Sequence, residues 1–179
     1  MPSPLKKVSE EVLHENPWWR YKHDVFAFSD GKTGDYYYGE ARGMSIVVPM
    51  LPDGRLVLVK QYRYLSDRYS IEFPGGGIHS NEAPSDVAKR ELVEETGYTS
   101  DEIINISNVE PHNGLFLDMM HVFLAKNVRQ IETKGLVGDE TEFIEILLRR
   151  PDEMEQLIRN NEIWDGQTLA TWAVARYYV

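Results

Sequence analysis

The stretch GGIHSNEAPSDVAKRELVEETGY, residues 76–98, decides both the fold and the chemistry of this chain. Within it, Pro84 suits the first position of a helix, where its missing N–H costs nothing, and Gly97 suits the residue just after a helix. We therefore predict a helix over residues 84–96. The strand-like segment 71–73 and a glycine-rich break at 74–77 precede it, which indicates a strand, loop and helix unit.

Three carboxylates, those of Glu91, Glu94 and Glu95, lie three and four residues apart and therefore share one face of that helix. Two unit charges ~5.5 Å apart repel by ~3 kcal/mol at an effective dielectric of ~20, so the cluster does nothing for helix stability. All-oxygen ligands without cysteine favour a hard ion, Mg²⁺ or Mn²⁺. The alternative is a solvated acidic face paired with Lys89 and Arg90, and an isolated E-x-x-E-E would favour it.

The flanking residues favour the metal interpretation. From Gly76 the sequence reads G-x5-E-x7-R-E-L-x-E-E-x-G-Y, beginning at Gly76 and ending at Tyr98. This pattern resembles the Nudix box, the signature of Mg²⁺-dependent hydrolases of nucleoside diphosphates linked to another group. Its one soft departure is Tyr98, where an aliphatic residue is commoner. Segments 59–63, 71–76, 121–125, 138–142 and 161–168 resemble, more loosely, the branch that contains ADP-ribose pyrophosphatases and nucleoside-diphosphate-sugar hydrolases.

The resemblance implies a role for each residue of the cluster. Glu91 and Glu95 would ligate the metal together with the backbone carbonyl of Gly75. Glu94 would assist in the same cluster, and Arg90 would orient the glutamates through charge-assisted hydrogen bonds.

The resemblance also implies residues that handle substrate and water. Arg63 would clamp the pyrophosphate, and Glu72, in the same lead-in to the box, would also belong to the substrate-binding residues. The loop glutamate that activates or positions the attacking water matches Glu140, and Glu142 is the neighbour that could share the role. An ordinary acidic loop is the alternative for both.

The rest of the chain indicates an α+β protein, an α/β/α sandwich with a mixed sheet. Apolar runs at 44–50 and 56–61, joined by a Leu-Pro-Asp-Gly turn, predict a hairpin. Further strands are predicted at 103–109, 120–126 and 143–148, and helices at 151–159 and 167–178. The last helix would present one apolar face, made of Leu169, Trp172, Ala173 and Tyr177.

The first 42 residues differ from the remainder because they are rich in aromatic residues. We predict an N-terminal layer of antiparallel strands over residues 1–42, around a turn at 29–31, followed by the Nudix domain at 43–179. By resemblance, the layer would form a homodimer and line the base side of the site. Trp18, Trp19 and Tyr37 are the candidates for contacts with the base, although core or dimer packing is the alternative.

Composition excludes several classes of function. The chain has 179 residues, no cysteine and a formal net charge of −10. That charge argues against binding nucleic acid or an anionic membrane surface over a broad face. The sequence has no apolar run near the ~18 residues of a membrane span. With no secretory leader and no disulfide framework, a cytoplasmic location is expected.

We therefore predict a metal-dependent hydrolase that cleaves nucleoside diphosphate sugars to a nucleoside monophosphate and a sugar phosphate. His112-Asn113-Gly114 stands where ADP-ribose pyrophosphatases often have Ser-Pro-Gly, and Asp118 stands in place of the usual glutamate. The expected substrates are therefore widened to the ADP-ribose, ADP-glucose and GDP-mannose types. The alternatives are a nucleoside-triphosphate sanitising enzyme, which would not need the aromatic N-terminal layer, and a non-catalytic nucleotide sensor, which usually has a degraded box.

Overall fold

The computed structural model describes residues 3–131 and 144–179. Its helices are α1 (Pro84–Thr96), α2 (Pro151–Arg159) and α3 (Gly166–Ala175). The strands are β1 (Leu5–Glu15), β2 (Arg20–Phe28), β3 (Thr33–Glu40), β4 (Met44–Pro49), β5 (Leu56–Arg63), β6 (Arg68–Glu72), β7 (Gly75–Gly77), β8 (Tyr98–Thr99), β9 (Glu102–Val109), β10 (Phe116–Leu117), β11 (Met120–Lys126), β12 (Arg129–Gln130) and β13 (Glu145–Arg149). No helix in these ranges is long and apolar enough to span a bilayer.

The N-terminal sheet has the strand order β1-β2-β3-β10. Strands β1, β2 and β3 are antiparallel, as the sequence predicts, and β10 joins β3 in parallel. The turn between β2 and β3 closes where Phe28 N–H donates to the Lys32 carbonyl and Gly31 adopts a φ of 84°. Within that predicted layer, the sequence assigns no separate strand to residues 5–15, where β1 lies. It forms the edge of this sheet and is exposed along its whole length.

Two further sheets form the centre of the molecule. One has the order β7-β4-β11-β9, in which β4 and β11 are parallel and the other pairs are antiparallel. The other is the antiparallel sheet β13-β5-β6. Strand β4 lies between β11 and β7, the glycine strand. Because it is covered on both sides, β4 is the most buried of the described strands.

Side chains that alternate along the central strands face two separate cores. Val47 and Phe123 pack with Leu92 of α1 in one core. Ile46 and Leu124, their neighbours in the chain, pack with residues of α2 and α3 in the other. Strands buried on both faces therefore lie between α1 and the two C-terminal helices, which confirms the α/β/α sandwich.

The predicted hairpin between residues 44–50 and 56–61 is wrong in its pairing. The chain does turn there, since Leu51 N–H donates to the Arg55 carbonyl, but Met50 and Leu56 form an isolated bridge. Strands β4 and β5 then belong to different sheets. Both are buried, so each satisfies its backbone groups with two other partners, and the turn alone does not decide the pairing.

The predicted apolar face of the last helix is also wrong in two of its four members. Helix α3 ends at Ala175, and both Ala173 and Tyr177 are exposed. Its buried positions are instead Thr168, Thr171, Trp172 and Ala175. The two threonines were overlooked because their hydroxyls mark them as polar, although the Thr168 hydroxyl accepts a hydrogen bond from the backbone of Phe73.

Candidate active site

The acidic face of α1 lies against the glycine strand β7. Gly75 N–H donates to the Glu95 carboxylate, with 3.0 Å between nitrogen and Oε2. Glu91 lies one helical turn earlier, and its carboxylate is directly over Gly76. Glu95 and Glu91 thus meet the strand at adjacent residues. The structure therefore brings together three of the residues that the sequence predicts as a metal site, Gly75, Glu91 and Glu95.

Two glycines permit this close approach, and each does so for a different reason. A Cβ on Gly75 would lie 2.5 Å from the carbonyl oxygen of Ser45, which is fixed backbone of β4. A Cβ on Gly76 would lie 2.1 Å from Oε1 of Glu91. A Cβ on Gly77 would meet nothing within 4 Å. The spacing of β7 from β4 thus requires Gly75, and the position of the Glu91 carboxylate requires Gly76.

Arg90 is the centre of a network of carboxylates. Its guanidinium donates to Glu91 at 2.7 Å, to Glu94 at 2.9 Å and to Glu82 at 3.1 Å. Burial by itself lowers the pKa of Arg90. The hydrogen bonds to the carboxylates raise it by more than that, so the pKa lies above its usual value. The same contact with Arg90 and a bond from His79 N–H hold the pKa of Glu82 below its usual value. A permanent positive charge therefore offsets the repulsion within the acidic cluster.

A second charged group lies at the end of β5 and β6. The Arg63 guanidinium pairs with both oxygens of Glu72, and its Nε donates at 2.8 Å to Oε1. Gln61 donates to the other oxygen at 3.3 Å. Glu72 is buried, whereas Arg63 reaches solvent. The hydrogen bonds that Arg63 donates to Glu72 raise the pKa of Arg63 above its usual value and fix the orientation of its guanidinium.

The glycine strand β7 and the Arg63–Glu72 pair line one cleft of about 330 Å³, called the metal-side cleft below. Its walls include the glycine strand, Arg63, Glu72 and Asp118, and Trp18 lies at its rim with 79% of its surface exposed. Trp19 lines a neighbouring cavity instead, and its ring centroid is 6.1 Å from that of Phe116. Tyr37 does not line the cleft and stacks on His23 with centroids 4.4 Å apart. Of the three aromatic candidates, the single chain brings Trp18 to the cleft.

Asp118 is a cleft residue that the sequence analysis noted only as a departure from the family pattern. Its Oδ1 is buried and has no hydrogen-bond partner in the described part of the chain. Burial raises the pKa of Asp118 above the usual 3.8, and the charge of His112 and a bond from the Gly43 backbone offset this only in part. No local motif marks this residue, because its burial results from tertiary packing.

The raised pKa of Asp118 predicts how stability depends on pH. In the unfolded chain this carboxyl ionises near its usual pKa of 3.8, but in the folded protein it ionises at a higher pH. Stability is therefore lost as the pH rises from the unfolded to the folded pKa. We expect Asp118→Asn to remove that loss, so that its Tm gains on the wild type as the pH rises from 3 to 7. A constant difference in Tm would contradict this.

The donor atoms at β7 and α1 fit a hard divalent cation. Glu91 and Glu95 offer carboxylate oxygens where they meet the strand, and Gly75 offers a backbone carbonyl. The described residues contain no group of three or more His, Cys, Asp or Glu side chains that could hold a metal ion, so the side-chain donors here are the two glutamates. Mg²⁺ suits such a set, since it is commonly held by one or two carboxylates together with water and substrate phosphates.

Comparison with known proteins identifies the protein family to which this chain belongs. The NUDIX domain model matches residues 40–171, which is more than half of the chain. The chain therefore belongs to the Nudix family, and it is a Nudix hydrolase, as its box predicts. Hydrolases of this family generally need a divalent metal ion.

The chain is also similar to individual proteins of known name. The chain is 31% identical over 148 residues to the ADP-ribose pyrophosphatase of Bacillus subtilis (strain 168), covering 83% of this chain and 79% of the relative. It is 25% identical over 176 residues to the GDP-mannose pyrophosphatase of Yersinia enterocolitica, covering 92% and 91%. A crystal structure of an ADP compounds hydrolase superposes with a TM-score of 0.83 at 19% identity, covering 98% of this chain and 94% of that one, which confirms the fold.

Proposed function

We propose that this protein hydrolyses the diphosphate bond of nucleoside diphosphate sugars of the ADP-ribose, ADP-glucose or GDP-mannose type, with Mg²⁺ as the ion and Mn²⁺ as a substitute. The observation that carries the proposal is that Glu91 and Glu95 converge on the glycine strand β7, and that this strand lines the same cleft as the fixed guanidinium of Arg63. Both the ADP-ribose pyrophosphatase and the GDP-mannose pyrophosphatase named above support this substrate class.

The side chains in and beside the cleft would have different roles toward a bound diphosphate. Arg63 would bind the phosphate oxygens in a bidentate manner, and Glu72, which lines the same cleft, would orient the Arg63 guanidinium at the substrate-binding wall. Glu91 and Glu95, with the Gly75 carbonyl, would hold the ion, which supplies positive charge against the diphosphate when bound. Arg90 would keep Glu91 and Glu94 in place. Trp18 would contact the base bound by its own chain. Trp19 and Tyr37 would contact the base bound by the second subunit of a dimer.

The water-positioning glutamate remains a prediction, because Glu140 and Glu142 lie outside the described residues. We expect Glu140→Gln to lower kcat by about 10²-fold with little change in KM, as for a residue that acts only in the transition state. Steady-state kinetics with Glu142→Gln as the parallel variant would distinguish the two candidates. An unchanged rate for Glu140→Gln would assign the role to Glu142 or to another group.

We propose that residues 1–42 form the dimerisation layer and residues 43–179 the hydrolase domain. Among the described strands, β1 is an edge of its sheet, and it exposes the apolar residues Val8, Val12 and Leu13. An exposed apolar edge strand invites pairing with a second copy. We expect a homodimer, twice the chain mass of 20.7 kDa, by light scattering. We expect Val8→Asp to shift it toward the monomer, and a wild-type monomer at micromolar concentration would refute the proposal.

A cytoplasmic setting and the absence of nucleic-acid or membrane partners are consistent with the acidic, cysteine-free composition and stay predictions. The direct test of function is monophosphate release with Mg²⁺ from ADP-ribose, ADP-glucose, GDP-mannose, UDP-glucose and dGTP at equal concentration. We expect release from one or more sugar nucleotides and none from dGTP. Turnover of dGTP alone would indicate a triphosphate sanitising enzyme, and binding without turnover would indicate a sensor.

A further inference from the structure

A second cleft, of about 440 Å³, adjoins the metal-side cleft. The two share three lining residues, Arg63, Glu72 and Gln167. The second cleft extends from this common wall toward Trp164 and Asp165, whereas the first extends toward Trp18. A phosphate group held by Arg63 therefore has a cleft on each side of it.

We propose that the second cleft binds the sugar beyond the diphosphate, and that it selects neutral, hydroxyl-rich sugars over sugar acids. This inference rests on the proposed function and names the distal half of its substrate. A nucleotide sugar has an organic group at each end of its diphosphate, so two clefts flanking Arg63 match its shape. A nucleoside triphosphate has one such group and would leave the second cleft unfilled.

The lining of the second cleft has the chemistry of a hydroxyl-binding site. The Gln167 amide both donates and accepts hydrogen bonds, the Asp165 carboxylate accepts them, and Ser66 adds a hydroxyl. Trp164 and Tyr64 contribute aromatic surface. A few polar groups placed among aromatic side chains are typical of small-molecule sites.

Two of these side chains are held in place before any ligand binds. Oδ2 of Asp165 accepts from Thr168 N–H at 2.7 Å and so caps α3. The indole N–H of Trp164 donates to the Tyr69 carbonyl at 3.2 Å, and the guanidinium carbon of Arg68 lies 3.7 Å from the centre of its ring. Binding a sugar here would therefore cost little ordering of Asp165 and Trp164.

The charge of the second cleft sets its selectivity. Among its described lining residues, Arg63 is the one Lys or Arg, and Glu72 already pairs with it. Asp165 adds a second carboxylate, so the lining is net negative when His112 is uncharged. A carboxylate on the sugar would face this charge without a cation to receive it, which disfavours uronic acids.

Comparison of ADP-glucose with the β-methyl ester of ADP tests the sugar contact, because the ester keeps the diphosphate and has no sugar. We expect the ratio of kcat/KM for ADP-glucose to kcat/KM for the ester to fall about tenfold in Gln167→Leu, as for the loss of one or two hydrogen bonds. Gln156→Leu, an exposed change on α2, is the matched control and should leave the ratio unchanged. An equal loss for both compounds in Gln167→Leu would overturn the assignment.

Comparison of ADP-glucose with ADP-glucuronate tests the charge. We expect the wild type to prefer ADP-glucose by about tenfold. Asp165→Asn should reduce that preference, because asparagine retains the cap on Thr168 while the charge is lost. Equal use of both compounds by the wild type would overturn the neutral-sugar inference.

Calorimetry separates failure of this inference from failure of the proposed function. With Ca²⁺ present, wild-type protein should bind ADP-glucose more tightly than the methyl ester, whether or not turnover occurs. A protein that shows this difference without hydrolysing either compound would contradict the proposed function alone. Equal Kd values would overturn the second cleft as a sugar site, even in an active enzyme.

Discussion

Glu95→Gln is expected to lower metal-dependent kcat by about 10³-fold, because it would remove the charge of a proposed metal ligand, which would stabilise the transition state by several kcal/mol. The fold should survive, since glutamine has almost the same volume. Its amide oxygen can still accept the hydrogen bond that Gly75 N–H donates to Glu95. The measurement is kcat at saturating Mg²⁺, with Tm as the test of folding.

Asp86→Asn is the matched control for Glu95→Gln. Asp86 is an exposed carboxylate in the first turn of the same helix, and it faces Lys89 at 4.0 Å. The loss of its charge should leave kcat within about twofold, because exposed pairs of this kind contribute little. Turnover at the wild-type rate in Glu95→Gln would refute the metal assignment, and equal losses in both variants would indicate a general effect of helix charge.

Gly76→Ala is expected to lower kcat/KM by about 10²-fold while lowering Tm by only a few degrees, because displacement of a reacting group by about 1 Å is that costly. The added methyl group would lie 2.1 Å from Oε1 of Glu91. That atom is the end of a flexible side chain, which can move aside without unfolding the protein. The same movement would displace the Glu91 carboxylate from the site. Kinetics and thermal unfolding of one preparation measure both effects.

The two neighbouring glycines provide the comparisons for Gly76→Ala. Gly77→Ala adds its methyl group in open space and should leave Tm unchanged. Gly75→Ala drives its methyl group into the carbonyl of Ser45, so it should lose the most stability of the three. If Gly76→Ala lost activity only in proportion to its stability, the proposed role of Glu91 would be wrong.

The local elements of the fold could be predicted because their signals are local. Pro84 and Gly97 bound α1 as the sequence predicts. The bounds of β1 could not be predicted, since Leu5, Val8 and Val12 have helical spacing. Antiparallel pairing with β2 holds β1 extended instead, and ion pairs from Lys7 to Asp24 and from Lys22 to Glu10 join the same two strands. Such partners are distant in sequence and leave no local pattern.

The candidate site was predicted as a set of residues but not as an arrangement. Spacing places Glu91, Glu94 and Glu95 on one helical face, and it does not distinguish them. In the folded chain Glu95 is buried against β7, whereas Glu94 is half exposed and pairs with Arg90. This difference in burial between Glu95 and Glu94 results from the position of the neighbouring strand β7. The cleft position of Asp118 was missed for the same reason, because packing of distant segments creates it.

The parallel pairing of β4 with β11 also determines when the site comes into existence during folding. Met44 is aligned with Met120, so this ladder forms only after a long intervening chain has been closed into a loop. Pairings so distant in sequence are slow to form. The glycine strand β7 borders β4 on its other side. During synthesis, α1 is therefore complete on the ribosome before residues 120–126 emerge, so β4, which pairs with the glycine strand of the proposed metal site, gains its second neighbouring strand late.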